Sequence, residues 1–167
     1  MTGTFYAASA VAVIATALAL AQKQVVHGLL YLIVSLLAVA LVFYALGAPF
    51  VAALEVIVYA GAIMVLFVFV LMLLNRGPQT VDEERGWLTR RTWIGPLALI
   101  AVLAIELLYA ATRAPEAARA AQLVDSHQVG TAMFGATYAI GVELASMLLL
   151  AGLVAAYHLG RRNDGRR

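Results

Sequence analysis

Residues 52–74 read AALEVIVYAGAIMVLFVFVLMLL, twenty-three positions with one charge, Glu55, and no proline. At about 1.5 Å of rise per residue this run makes a helix roughly 35 Å long, enough to cross a hydrocarbon core of ~30 Å with some tilt. Lipid offers no partner to backbone N–H and C=O groups, so a stretch of this kind crosses the membrane as a helix. The lone carboxylate is expensive there, roughly 2.5–3.5 kcal/mol on insertion scales, and such a group usually faces protein or water and has a role.

The rest of the chain agrees with a membrane setting. Of 167 residues, 64% are hydrophobic and 12% are charged, whereas a soluble domain carries about 25% charged residues to cover its surface. Cysteine is absent, which removes disulfides, iron–sulfur ligation and thiolate chemistry together. The net charge is only +2, and the arginines flank apolar runs, so the basic residues speak for membrane orientation and against nucleic acid. No cationic stretch precedes the first apolar run, so that run is expected to be a retained span and not a cleavable signal.

Apolar runs at about 4–21, 28–46, 50–74, 93–112 and 135–159 predict an all-α integral membrane bundle of five transmembrane helices, one domain over residues 1–160 with a basic tail at 161–167. Gly47-Ala48-Pro49 reads as a tight turn with Pro49 at the first helical position of the third span. Asn75-Arg76-Gly77-Pro78 reads as its stop. Thr80-Val81-Asp82-Glu83 has capping-box spacing for a short surface helix. Trp87 and Trp93 bracket Arg90-Arg91 in a pattern typical of headgroup depth. Residues 113–134 are expected to form a polar loop, with helical character at most over Pro115–Leu123. His27 is expected at the membrane interface or as a helix cap, and Ser35 bonded back to its own helix.

Five spans put the two termini on opposite sides. Nine of the eleven Lys and Arg residues then share one side, all but Arg113 and Arg119. By the positive-inside rule the tail is cytoplasmic and the N-terminus outside, as expected for a multi-pass protein of a bacterial inner membrane. Helical rise sets the depths: Glu55 lies about 9 Å and Tyr59 about 15 Å from the Pro49 end, Glu143 about 12 Å from Gly135, and Glu106 about 9 Å from Thr112. All three glutamates fall in the outer half of the bilayer, and no Lys or Arg lies inside a span to pair with them. Chains of Asp, Glu and His are the usual hardware of a proton relay; the alternative is a carboxylic acid bonded to a neighbouring carbonyl. Glu106, near a span end, fits the alternative better. Tyr59 follows Glu55 by four residues, on the same face of a regular helix, with a hydroxyl able to give and accept. Ala60-Gly61-Ala62 then removes bulk near the middle of the span, which admits a close neighbour and weakens the helix locally.

The run Gly47-Ala48-Pro49-Phe50 followed by Glu55-Val56-Ile57-Val58-Tyr59-Ala60-Gly61-Ala62-Ile63-Met64-Val65-Leu66-Phe67-Val68-Phe69-Val70 resembles the third transmembrane helix of the J subunit of respiratory complex I. The resemblance extends to His27-Gly28-Leu29-Leu30-Tyr31-Leu32 and to Glu143-Leu144-Ala145-Ser146-Met147-Leu148-Leu149-Leu150-Ala151-Gly152-Leu153-Val154. Residues 76–92 and 113–134 depart from it. It implies a subunit of a proton-pumping NADH:quinone oxidoreductase that binds no redox cofactor itself, the flavin, iron–sulfur clusters and quinone belonging to other subunits. It implies neighbours similar to the A, H, K and antiporter-like subunits, with the third helix between the quinone-reducing end and the antiporter-like arm. It also implies a π-bulge at Tyr59, Ala60, Gly61 and Ala62, a helix switch whose forming and relaxing opens or closes a hydrated path, with Glu55, Tyr59 and Glu143 on a proton path.

Two other readings fit the residues. A structural scaffold of the same kind of complex would use the glutamates only to satisfy neighbours. A b-type haem cytochrome would set one haem between His27 and His158, which lie near the same ends of their spans. No Ser/His pair or metal-ligand spacing recurs at one depth, so an intramembrane hydrolase has no support, and the isolated chain is expected to carry no active site.

Overall fold

The computed structural model of the chain describes residues 2–22, 24–74, 93–120 and 124–161, with the side chains of 113–120 left aside. Among the described residues the fold is all-α. Helix α1 spans Thr2–Ala21 and α2 spans Val25–Ala45. Helix α3 is continuous through three parts, an α-helical start Pro49–Leu54, a π-helical middle Glu55–Ile63 and an α-helical end Met64–Leu74. Helix α4 runs over Ile94–Ala120, α5 over Ser126–Phe134 and α6 over Ala139–Arg161. Five stretches are long and apolar enough to cross a membrane: Thr2–Ala21, Val25–Ala45, Pro49–Leu73, Ile94–Thr112 and Ala139–Arg161. These are the five predicted spans. The stop at Asn75–Pro78, the capping-box segment, Trp87 with Arg90-Arg91 and the tail beyond Arg161 lie outside the described residues.

Several boundaries move. Helix α2 begins at Val25 with Gln24 as its N-cap, so His27 is not the cap; it sits inside the first turn, near the end of the span, and is buried against the protein. The expected loop at 113–134 is largely helical. Helix α4 continues past Thr112 and Pro115 to Ala120. Alanine, the best helix former, fills Ala114, Ala117, Ala118 and Ala120, and carries the helix beyond the point where hydropathy ends the span. A second helix, α5, follows from Asp125, where Thr131 Oγ1 donates to His127 O at 2.8 Å. Residues 135–138 form the turn that closes it, and α6 starts at Ala139, not Gly135. Glu143 is therefore four residues into its helix, about 6 Å from the start instead of about 12 Å.

Contacts group the chain into two units, Met1–Val124 and Asp125–Arg167. In the first unit α1 and α2 form an antiparallel pair with α3 and α4 against α2. Its centre is Ala8, Val11 and Ala15 of α1, Val34, Ala38 and Leu41 of α2, and Leu103 of α4. Lipid is as apolar as leucine, so helices in it are held by close packing and by bonds between them, and small residues at the contact allow both. Here the alanines bring α1 near enough for a crossing bond. Ser35 Oγ donates to Ala12 O of α1 at 3.0 Å and lies 2.7 Å from Thr16 Oγ1. Ser35 thus bonds across to α1, not back to its own helix, because the Ala12 carbonyl of a closely packed neighbour is in reach. In the second unit α5 leads by the 135–138 turn into α6.

The turn from α2 to α3 is a Schellman motif. Gly47 N–H bonds Tyr44 O at 3.0 Å and Ala48 N–H bonds Phe43 O at 3.1 Å, the 5→2 and 6→1 pair that closes a helix on a left-handed residue. Gly47 has φ +84°, which favours glycine. Its carbonyl then accepts Val124 N–H at 3.2 Å, so this turn and the chain beyond α4 meet at one end of the first unit. Near the opposite end the Tyr31 hydroxyl fills the place a β-carbon would take on Gly95, in the first turn of α4.

An odd number of spans fixes the relation of the termini. Single cysteines at Thr2 and Gly165, in a chain that has none, should react with a membrane-impermeant maleimide from opposite faces of sealed vesicles. Labelling of both from one face would remove a span.

Candidate functional site

The site is the middle of α3. Over Glu55–Ile63 the backbone follows the i→i+5 pattern of a π-helix. Such stretches are rare, usually one turn long, and concentrate at functional positions. The expected bulge at Tyr59, Ala60, Gly61 and Ala62 lies inside this stretch, which starts earlier, at Glu55, and runs for nine residues. Its first turn holds Val56-Ile57-Val58, a β-branched run that loses rotamer freedom in a regular helix. That run is the sequence signal that points to an early start.

Gly61 closes the tightest point. A β-carbon added there would lie 3.1 Å from Val56 O, the carbonyl five residues back, so it needs a shift of a few tenths of an ångström. The larger π ring brings that carbonyl under position 61, and glycine accommodates it without strain.

The four predicted polar residues fall in different surroundings. Glu55 is 9% exposed, held within the first unit where the start of the π stretch lies along α2. Tyr59 is 50% exposed. The two residues therefore differ in burial although only four positions separate them along the π stretch. Glu106 on α4 is half-buried. Glu143 is exposed on α6 in the second unit, one turn before Ser146, whose hydroxyl donates to Val142 O at 3.0 Å. His27 is buried in the first unit, and His158 is exposed in the last turn of α6. Among the described residues, no group of three or more His, Asp and Glu side chains is placed to hold a metal ion.

No described side chain bonds the Glu55 carboxyl, although the residue is buried. Among the described residues no side-chain polar atom is both buried and without a partner, so the carboxyl oxygens of Glu55 keep access to the surface of the first unit. What it offers chemically is a protonatable carboxyl at the first position of a π-helical stretch.

A helical membrane protein of five spans, with a π-helical third span entered by a buried carboxylate, is the class these features define. The chain belongs to the family described as NADH-ubiquinone/plastoquinone oxidoreductase chain 6, which it matches over residues 15–159. It is 57% identical over 160 residues to NADH-quinone oxidoreductase subunit J of Pseudomonas aeruginosa, covering 95% of this chain and 96% of that one. It is 49% identical over 157 residues to the subunit J of Escherichia coli K12, covering 94% and 85%. A more distant subunit J, from Buchnera aphidicola subsp. Baizongia pistaciae, is 34% identical over 158 residues, covering 94% and 96%.

The unbonded state of Glu55 has a direct consequence for stability. Glu55→Gln breaks no hydrogen bond to a described side chain, so the amount of chain recovered in membranes should fall by less than a factor of about 5, the equivalent of ~1 kcal/mol. A carboxylate held by charged bonds would lose about 1.5–3 kcal/mol per bond. Immunoblots of membrane fractions at matched expression measure the difference.

Proposed function

We infer that this chain is a non-catalytic membrane subunit of a bacterial NADH-quinone oxidoreductase, in which α3 couples quinone reduction to proton translocation. The observation that carries the reading is the nine-residue π stretch Glu55–Ile63 in the middle of a membrane span. An inserted residue rotates one side of a helix against the other by about 100°. In a span whose backbone must stay fully bonded, moving between i→i+5 and i→i+4 bonding is a change of state that exposes no polar backbone to lipid. Glu55 opens the stretch, so the same movement carries a protonatable group. Glu55, Tyr59 and Glu143 form the proposed proton path, and Tyr59 to Ala62 the switch.

On this reading the chain holds no cofactor, and the flavin, iron–sulfur clusters and quinone sit in other subunits. Membrane subunits similar to A, H, K and the antiporter-like chains cover the polar faces of the spans. The protein lies in the inner membrane with its N-terminus outside and its tail in the cytoplasm. The coincidence of Glu55 with the first position of the π stretch favours this reading over a scaffold.

Glu55→Gln keeps shape and hydrogen bonding but removes the titratable proton. It should lower the proton-to-electron ratio of the assembled complex while assembly holds, and Glu106→Gln should change neither. Equal ratios in wild type and Glu55→Gln, measured in proteoliposomes, would make Glu55 a structural residue.

Gly61→Val sets a β-branched side chain against the Val56 carbonyl. The complex should assemble and oxidise NADH with an artificial acceptor at the wild-type rate, yet lose at least about tenfold in quinone-linked turnover and pumping, equivalent to a barrier raised by ~1.4 kcal/mol. Gly61→Ala, with one methyl 3.1 Å from that oxygen, should be intermediate. Both activities are read in one membrane preparation, and a Gly61→Val complex with both unchanged would mean that α3 is no switch.

A further inference from the structure

Helix α5 carries no Asp, Glu, Lys or Arg, yet its nine residues are sorted by face. At about 100° per residue, His127, Gln128 and Thr131 fall in one arc. Val129, Ala132 and Met133 share the other side, at the i, i+3, i+4 spacing of an amphipathic helix, and Phe134 closes the far edge of that side. The Thr131 hydroxyl is bonded within the helix, to His127 O. Met133 and Phe134 are 45% and 77% exposed.

Depth decides what meets the apolar side. Helix α5 runs through the 135–138 turn into α6, which is long and apolar enough to span the membrane. Tyr138 and Tyr157 are both exposed, and the rise between them along α6 is about 28 Å, close to the ~30 Å thickness of the hydrocarbon. Tyrosine concentrates at the two membrane–water interfaces, so Tyr138 marks one of them, and α5 ends only a turn away at Phe134. Between the two, Gly135 is extended, with φ −70° and ψ 160°. The helix breaks there, and α5 leaves the axis of α6 instead of carrying its apolar side straight out into water. We propose that α5 lies along the bilayer surface at headgroup depth, with Val129, Met133 and Phe134 toward the acyl chains and His127, Gln128 and Thr131 toward water. With no Lys or Arg on it, the contact is made by apolar burial and needs no anionic lipid. A helix held there sets the depth at which α6, and Glu143 with it, enters the lipid. The proposal needs only that α6 spans the membrane and stands whether or not α3 switches.

Photomethionine, built into the intact complex in place of methionine, puts a diazirine at Met133 itself. The complex is reconstituted in phosphatidylcholine nanodiscs, irradiated, digested and mapped by mass spectrometry. Lipid adducts are expected on Met133. Thr131→Met in a Met133→Leu background moves the probe to the polar side, where lipid adducts should fall at least about fivefold and water adducts replace them. Adding phosphatidylglycerol to the nanodiscs should leave the Met133 yield unchanged. Water adducts alone at Met133 would stand α5 clear of the bilayer and overturn the proposal. Equal lipid adducts from both probe positions would overturn it too, since the helix would then have no fixed face. A Met133 adduct that requires phosphatidylglycerol would overturn the neutral contact, and a crosslink from Met133 to another subunit in place of lipid would give the face to a protein partner. The readout needs no turnover, so its failure is distinct from failure of the coupling function.

Discussion

Every feature of α3 depends on one constraint: in hydrocarbon, each backbone N–H and C=O must find its partner within the helix. A soluble protein makes a hinge by opening a loop and letting water take the freed groups. A membrane span has no such freedom. What remains is to change which carbonyl each N–H uses, and the π stretch Glu55–Ile63 does this over nine residues while keeping the helix continuous from Pro49 to Leu74. The residues placed there follow from the same rule. Val56-Ile57-Val58 weakens the regular alternative, and Gly61 leaves room for the carbonyl five positions back.

Packing around that span follows a second rule, that apolar contact earns little in lipid. The first unit accordingly relies on small residues and crossing bonds. Ala8, Ala15 and Ala38 let α1 and α2 close on each other, and Ser35 bonds Ala12 O across the gap. Against that bonded pair the middle of α3 is loosely held, with Tyr59 half exposed. On the proposed coupling, the clasped pair is the frame and the more exposed helix the part that moves.

The five spans were legible because length and hydropathy alone decide membrane insertion, and they are recovered within a few residues apart from the late start of α6. The candidate stretch was legible through Glu55, Tyr59 and Ala60-Gly61-Ala62. What failed to show did so for physical reasons. Hydropathy marks where lipid ends, not where a helix ends, so the alanine-rich stretch after Thr112 was legible only as a helical segment within a loop, not as a continuation of α4, and the short α5 was read as loop. Periodicity assumes i→i+4 bonding, so it gave no sign that the π stretch would begin as early as Glu55. Ser35 had two acceptors in prospect, its own helix and a neighbour, and sequence carries no record of how near α1 would come.

The bond between Gly47 O and Val124 N–H sets a mechanical asymmetry. It ties the turn that launches α3 to the chain beyond α4, so the Pro49 end of the span is clamped twice, by the Schellman closure and by this crosslink. A helix gripped at one end and wound at its centre behaves as a screw in a fixed nut. On the proposed coupling, a gain or loss of a residue in the π turn would reach Met64–Leu74 as rotation and axial travel, at the membrane face opposite the clamp.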